Sequence, residues 1–429
     1  MRRSARYKTD NGRRGSTSQI AHSHTMTSPY PIPEAYDGRE QALVKHELLK
    51  SYLLKLFHIV GMGAGRGQRV EFCYIDCFAG PWGDDSVDFK STSIAISLEV
   101  LETCKQRLLM NDIQVSIRAL YVEKSPRSFK RLDAYLKNKL PSSIQADCMH
   151  GDFVDLREKI LEWAGPDAFT FFFIDPKGWK DIGVPTLRKV LKRPRSEFLI
   201  NFMYDFVNRT ASMSRWKEEM TEVLGGPVDL EGMLPRDREH ILLRTYRENL
   251  KKCLPSVSGG YQGRSAYVRV MDPDKNRPKY HLVYLTSHPR GLIEFMNISA
   301  GVQLVQKKIR GAKKEAARER NTGMVDMFGS DPATHSRFEP SGVNEIEQFW
   351  IRYLRNGERK VAQNEFAAII EENDWFPGEL QAALVDLIDA GIVRNLDATS
   401  KRPKKPLHYE VNGGERLILL QDQSGGLQG

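Results

Sequence analysis

Cysteine is scarce in this chain. There are five in 429 residues, an odd number without paired spacing, and that excludes a disulfide framework. Cys73 and Cys77 stand in or just after an apolar strand pattern, as small core residues do. Two cysteines with no partner pair do not make a zinc site, so no metal is expected. No apolar run reaches the roughly 18 residues that a membrane-spanning helix needs. The first residues are basic and polar and lack the apolar segment of a secretory signal, so the expected location is cytoplasmic, with no membrane partner. A complete Gly-x-Gly-x-x-Gly fingerprint is missing as well, which argues against a nicotinamide enzyme. Carboxylates clustered like metal ligands are also missing, and nothing specific supports a nuclease.

What is present suits a folded protein of more than one unit. Apolar residues make up 40% of the chain, and 429 residues are too many for one simple core. The formal charge of +9 suits an anionic partner, and its distribution is uneven. Residues 1–30 carry six Arg/Lys against one Asp, and residues 177–195 carry seven Lys/Arg against one Asp. Residues 302–320 carry seven against two, whereas the last 89 residues reverse the sign, with ten Lys/Arg against 14 Asp/Glu.

Residues 1–30 lack periodicity and read as a disordered basic tail, either solubilising or touching nucleic acid. Residues 36–60 carry Leu43, His46, Leu49, Leu53, Leu56 and Phe57 at helical spacing, with Gly61 and the Gly/Arg run to Gln68 ending that helix. Strand and helix patterns then alternate to about residue 300, the mark of a parallel βαβ sheet. Within residues 31–329, the expected unit is a Rossmann-like α/β domain with helices on both faces. A helical insertion or cap is expected at about 210–255, a closing antiparallel pair at 265–271 and 280–286, and a charged helix at 289–320. Residues 330–341 read as a linker. Residues 342–429 follow a winged-helix order: helices near 343–355, 362–372 and 377–390, then strands at Ile392–Leu396 and Leu407–Val411 around a basic turn at 401–405.

Four strand ends carry the chemistry. In an open parallel sheet, ligands sit beyond the C-terminal strand ends, near the switch in strand order. Asp76 ends the first strand, and Phe78, Gly80 and Gly83 follow in a turn whose amides can face the carboxylate of a methionine moiety. Glu123 ends the second strand, where an acid can accept both ribose hydroxyls. Asp152 follows the third, placed to accept from an adenine amine with Phe153 available to stack. The fourth ends in Asp175-Pro176-Lys177-Gly178-Trp179. Asp175 can orient an exocyclic amine and later take its proton, held rigid by Pro176. Trp179 can stack a flipped base or pack in the core. Lys177 and Lys180 can steady a phosphate or merely be solvated, and Arg209 can meet a phosphate or form a structural ion pair. Each acid alone is an ordinary loop residue; the ordered set is what an S-adenosylmethionine pocket needs.

The helix Val44-Lys45-His46-Glu47-Leu48-Leu49-Lys50, with Tyr74-Ile75-Asp76-Cys77-Phe78-Ala79-Gly80 and Phe173-Ile174-Asp175-Pro176-Lys177-Gly178-Trp179, resembles the three-Cys-motif partner protein (TcmP) family. Leu199–Met203 and Tyr280–Thr286 also look like its pattern. The likeness covers roughly residues 40–330 and implies a Rossmann-type methyltransferase fold. The Lys45-His46 helix and the acid-Pro turn are also similar to bacterial ribosomal-RNA adenine methyltransferases. That likeness implies Asp175 as the acceptor, with Lys45 and His46 near the cofactor. Lys177 and Gly178 stand where that family has a second Pro and an aromatic, and the ring comes one position late, at Trp179. No Pro-Cys pair follows the fourth strand, which disfavours chemistry through a Cys nucleophile.

The expected function is an S-adenosylmethionine-dependent methyltransferase acting on a nucleic-acid base amine, its basic segments matching a phosphate-rich substrate. The alternative is a non-catalytic accessory protein of the same fold working with an operon-encoded partner in mobile-element or defence biology. The 377–390 helix contains Glu379, Asp386 and Asp389 and no Lys or Arg, which favours a protein partner, or contact through the 401–405 turn alone. Removal of 342–429 is expected to leave the pocket intact.

Overall fold

A computed structural model describes residues 38–65, 67–80, 92–204, 207–208, 216–256, 262–322 and 343–420, together with Pro33 and Tyr36. The basic tail, the linker, Gly83 and Arg209 lie outside the described residues.

Seven strands form the main sheet: β1 (Arg69–Asp76), β2 (Gln114–Glu123), β3 (Gln145–His150), β4 (Phe169–Ile174), β5 (Ser196–Phe202), β6 (Arg264–Met271) and β7 (Pro278–Thr286). Their order is β3-β2-β1-β4-β5-β7-β6. β1 to β5 are parallel, whereas β7 runs antiparallel to both β5 and β6. This is a Rossmann-like sheet closed by a reversed hairpin, and the hairpin expected at 265–286 is there.

Period-two alternation serves both faces. Phe72, Tyr74, Phe171 and Phe173 join one core, and Ile75, Cys77, Phe172 and Ile174 join the other. The first face carries α1 (Glu40–Ala64), α2 (Ser93–Leu109), α3 (Pro126–Lys139) and α8 (Pro289–Thr322). The second carries α4 (Phe153–Ala164), α5 (Val184–Leu191), α6 (Lys217–Leu224) and α7 (Pro235–Lys251). Residues 217–251 are therefore part of the sheet's second layer, not an insertion or cap. Leu242, Tyr246 and Leu250 are fully buried, and the Tyr246 ring stacks on Phe202 while its hydroxyl donates to the Ile182 carbonyl at 2.6 Å.

Gly61 does not end α1, which runs on to Ala64. A Cβ at Gly61 would stand 2.5 Å from Leu108 Cδ2, so this glycine is the close-approach point of α1 and α2.

The C-terminal part contains α9 (Val343–Leu354), β8 (Arg359–Val361), α10 (Gln363–Asn373), α11 (Pro377–Asp389), β9 (Val393–Asn395) and β10 (Glu415–Leu419), with an antiparallel sheet ordered β8-β10-β9. The three helices fall where the periodicity puts them, but the last strand does not. Leu407 exchanges its backbone N–H and C=O with the side-chain amide of Gln381, so it has no ladder to join, and the strand forms at 415–419 instead. There Glu415 is buried and accepts from the His408 amide, Asn395 and Arg402, a strand residue that composition alone disguises.

This part is fastened to the main sheet. Arg264 of β6 reaches Glu371 at 2.9 Å, and Arg247 of α7 reaches Asp374 at 2.8 Å. Trp350 and Leu384 lie in the same continuous apolar core as Leu49. Cutting at residue 342 would leave two largely buried arginines without these partners, so lower stability is expected of the shortened chain even where the cleft survives.

A buried carboxyl sits inside the first face. Glu197 accepts from Tyr52 at 2.7 Å and from Thr286 at 2.9 Å, and burial pushes its pKa up to about 7 despite these bonds. A raised carboxyl stabilises the fold below its unfolded pKa and loses that contribution as pH rises through the folded value. Wild-type melting temperature is therefore expected to fall between about pH 4.5 and pH 7, and Glu197→Gln to flatten that fall. Identical pH profiles of melting temperature in the two proteins would refute the assignment.

Candidate functional site

The sheet order reverses between β1 and β4, whose flanking helices leave to opposite faces and open a crevice between the strand ends. A cleft of about 310 Å³ occupies this place. Its walls come from the start of α1 (Arg39, Lys45, His46), the turn after β1 (Phe78, Ala79, Gly80) and the start of α2 (Thr92, Ser93). The turn after β4 (Asp175, Pro176, Lys177), the end of β5 (Asn201) and the start of β7 (Lys279, Tyr280) complete it.

Asp76 lies beneath this cleft and is fully buried. It accepts from the Phe78 amide at 3.1 Å and from Ser93 Oγ at 3.0 Å. It thus ties the turn after β1 to the first turn of α2, whose N-terminus faces the cleft and suits a negative group. Burial raises its pKa to about 7, only partly offset by those two bonds. The Ala79 amide donates to the Val122 carbonyl at 2.8 Å and brings the turn against the end of β2. There Glu123 accepts from the Ser125 amide at 2.6 Å. A Cβ at position 80 would stand only 1.7 Å from Glu123 Oε2, so the turn tolerates nothing but glycine while Glu123 keeps this pose.

Asp175 is the hub of the cleft. One oxygen pairs with the Lys45 ammonium and the other accepts from Asn201 Nδ2 at 2.7 Å. The Lys45 ammonium also lies 5.9 Å from the centre of the Phe173 ring. His46 is buried, and its Nδ1 is 3.0 Å from the Tyr36 hydroxyl. Burial first, then the neighbouring Lys45 charge, push its pKa down to about 3. At neutral pH it is an uncharged hydrogen-bonding group, not a cation for a phosphate.

The cleft brings together Lys45, His46, Phe78, Gly80, Asp175, Pro176 and Lys177, and Asp76 and Glu123 support it from below and beside. Other expected residues are placed differently. Asp152 caps α4 by accepting from the Val154 amide at 2.8 Å, and it pairs with Lys124 at 2.6 Å. The Lys124 bond is the main cause that holds its carboxyl below the usual range. Phe153 is 2% exposed in the core under α4, which leaves no face for an adenine; its ring stands 5.3 Å from that of Phe78, the ring that does line the cleft. Trp179 is also a core residue, 5% exposed and edge-on to Trp216. The one-position delay of the aromatic after Asp175-Pro176 turns it inward, so the base-stacking reading of Trp179 is corrected. Lys180 lies over the Trp179 and Trp216 rings, outside the cleft lining.

The sequence reading missed Asn201, Ser93, Lys279 and Tyr280 as site residues. Asn201 had a signal: it is the one polar side chain in an apolar strand end, Leu199-Ile200-Asn201-Phe202. Among the described residues, no three His, Cys, Asp or Glu side chains come together as a metal site, and no helix is long and apolar enough to cross a membrane.

No family model and no curated protein sequence matches the chain. Solved structures similar to it include the O-methyltransferase from Bacillus cereus in complex with SAH, at 13% identity and a TM-score of 0.28, covering 60% of this chain and 92% of that one. PKMT2 from Rickettsia typhi is similar at 10% identity and a TM-score of 0.26, over 56% and 55% of the two chains. Loganic acid methyltransferase with SAH gives 6% and 0.26, over 64% and 88%. At these TM-scores the likeness assigns no residue a role.

The contact between Gly80 and Glu123 generates a direct test. Gly80→Ala is expected to push the Glu123 carboxylate aside and to weaken S-adenosylhomocysteine binding by about tenfold or more, in keeping with the loss of a charged hydrogen bond. Melting temperature should barely move. Unchanged affinity by calorimetric titration would show that Glu123 does not hold the ligand.

Proposed function

We propose that this protein is an S-adenosylmethionine-dependent methyltransferase acting on an exocyclic amine of a nucleic-acid base. The observation that carries the reading is the cleft at the β1–β4 switch, with Glu123 close against Gly80 on one side and Asp175, bound by Lys45 and Asn201, on the other. A fully parallel dinucleotide sheet would have its sixth strand beside the fifth; here a reversed strand takes that place.

The residues present suit the cofactor. Glu123 would hold the ribose hydroxyls, Phe78 would flank the adenine, and the N-terminus of α2, set by Asp76, would face the methionine carboxylate. Bound there, S-adenosylmethionine supplies a methyl group on a sulfonium. Asp175 would orient the amine and receive its proton. The group would supply the methyl for a nitrogen–carbon bond and keep the electron pair of the carbon–sulfur bond on its sulfur, while Asp175 would hold the released proton. Lys45 and Asn201 fix the carboxylate's orientation beforehand, so little reorganisation is needed. Arg39, Lys177 and Lys279 on the rim provide positive charge for a phosphate-bearing substrate.

The TcmP resemblance and the C-terminal part support a second element, a protein partner. We read that part as a winged helix, a reading supported by its three helices and its small antiparallel sheet. Two cations of its basic turn are engaged, Lys401 with Asp389 and Arg402 with Glu415, and this leaves a surface better suited to protein than to DNA. The cytoplasm is the compartment this reading implies.

Calorimetric titration with S-adenosylmethionine and S-adenosylhomocysteine tests the cofactor. Glu123→Ala should weaken binding, and Asp175→Ala should spare it while abolishing transfer of labelled methyl to RNA or DNA. No binding by the folded wild type, with and without nucleic acid, would sink the methyltransferase reading in favour of a non-catalytic accessory role.

A further inference from the structure

Asn201 has one half of its amide engaged and the other half waiting. A carboxylate accepts hydrogen bonds and cannot donate them, so the contact at 2.7 Å with Asp175 Oδ1 identifies the Asn201 nitrogen. The nitrogen also approaches Met203 Sδ at 3.5 Å. The remaining oxygen, Oδ1, is buried and has no hydrogen-bond partner among the described residues. Asn201 itself is 95% buried and forms part of the cleft wall next to Asp175 and Pro176. Leaving a buried acceptor unsatisfied costs about 1–3 kcal/mol, so a ligand that donates to this oxygen, with the side chain giving way to let it in, recovers that cost.

The two acceptors differ in what they offer. The oxygens of Asp175 are already engaged by Lys45 and Asn201, whereas Asn201 Oδ1 is a neutral acceptor fixed by its own amide nitrogen. A primary amine has two hydrogens and a lone pair. It can give one hydrogen to Asn201 and the other to Asp175 while its lone pair stays directed at the methyl group. A carbonyl oxygen in the same place has no hydrogen to give and would set two acceptors against Asn201 Oδ1. A hydroxyl satisfies only one of the two.

Resting on the methyltransferase reading above, we propose that Asn201 is the specificity-determining residue of this cleft, its Oδ1 accepting an N–H of the amine to be methylated and rejecting the keto group of a deaminated base. The selection belongs to this chain's fifth strand, independent of any stacking ring after the Asp175-Pro176 turn, which here points into the core.

The test compares short oligoadenylate with short oligoinosinate, in ribo and deoxyribo forms, on the full chain saturated with S-adenosylhomocysteine. The two differ at the purine C6 position, an amine against a keto oxygen, and at N1, which carries a hydrogen only in the keto base, so loss of the preference in the Asn201 variants is what ties it to this residue. Wild type is expected to bind the adenylate about tenfold more tightly, the size expected when a buried acceptor is left unpaired. In Asn201→Leu the ratio should fall to near one, with S-adenosylhomocysteine affinity retained. Asn201→Ala is measured alongside in case leucine disturbs β5, and if neither variant folds, the wild-type ratio decides. A wild-type ratio near one, or a preference that survives in a folded Asn201 variant, overturns the proposal while leaving the methyltransferase reading in place. Failure to bind S-adenosylhomocysteine at all overturns both. The ribo and deoxyribo arms show whether the amine is presented on RNA or DNA, and a preference for the amine in either arm supports the assignment.

Discussion

The structure depends on one constraint, the parallel pairing of β1 with β4. These two strands lie side by side, yet they are separated by two other strands in sequence. Their connecting helices must leave to opposite faces, so neither can roof the gap between the strand ends. The Cys77 amide extends the pairing past the end of β1 by donating to the Phe173 carbonyl at 2.9 Å, and this keeps the ends of the two strands, which carry Asp76 and Asp175, side by side. All the charged groups of the cleft are arranged around that opening.

The opening also explains why the cleft collects partners from distant parts of the chain. Lys45 arrives from the first helix, Asn201 from the fifth strand and Tyr280 from the reversed one. Tyr280 locks the first of these in place by donating to the Gln41 carbonyl at 2.8 Å. The reversed hairpin is therefore more than an edge of the sheet. It braces the start of α1, and α1 in turn delivers the cation that holds Asp175. Burial acts on these groups unequally: it keeps His46 uncharged at neutral pH, whereas Lys45, closer to solvent, pairs with Asp175.

Much of this was legible in the sequence, for identifiable reasons. Strands such as Phe169–Ile174 are apolar throughout because both faces are covered, and an acid immediately after such a run has to sit at a strand end. That logic located Asp76, Glu123 and Asp175. It failed where the same residue types serve local structure. Asp152 is a helix cap, a role that the residues after it permit but a count of strand-end acids does not reveal. Trp179 turned inward because the register of a tight turn decides which way a ring points, and one residue of offset reverses it. Gly61 looked like a helix terminator because a glycine's cost in a helix interior is visible in sequence, whereas the neighbour that makes it necessary, Leu108, is not. β10 was missed because its burial rests on a charged residue, Glu415, satisfied by partners from three other segments.

The absence of a side chain at Gly61 has a reach beyond its own contact. It lets α1 settle directly onto Leu108, and that fixes the depth and rotation of the far end of a rigid rod. Lys45 lies sixteen residues back along the same helix, roughly 24 Å at the rise of an α-helix. A small tilt at the glycine becomes a lateral shift of the ammonium at the cleft, large against the tolerance of an ion pair. The electrostatic state of Asp175 is in this sense set by a steric fit on the opposite side of the domain, where nothing charged is involved.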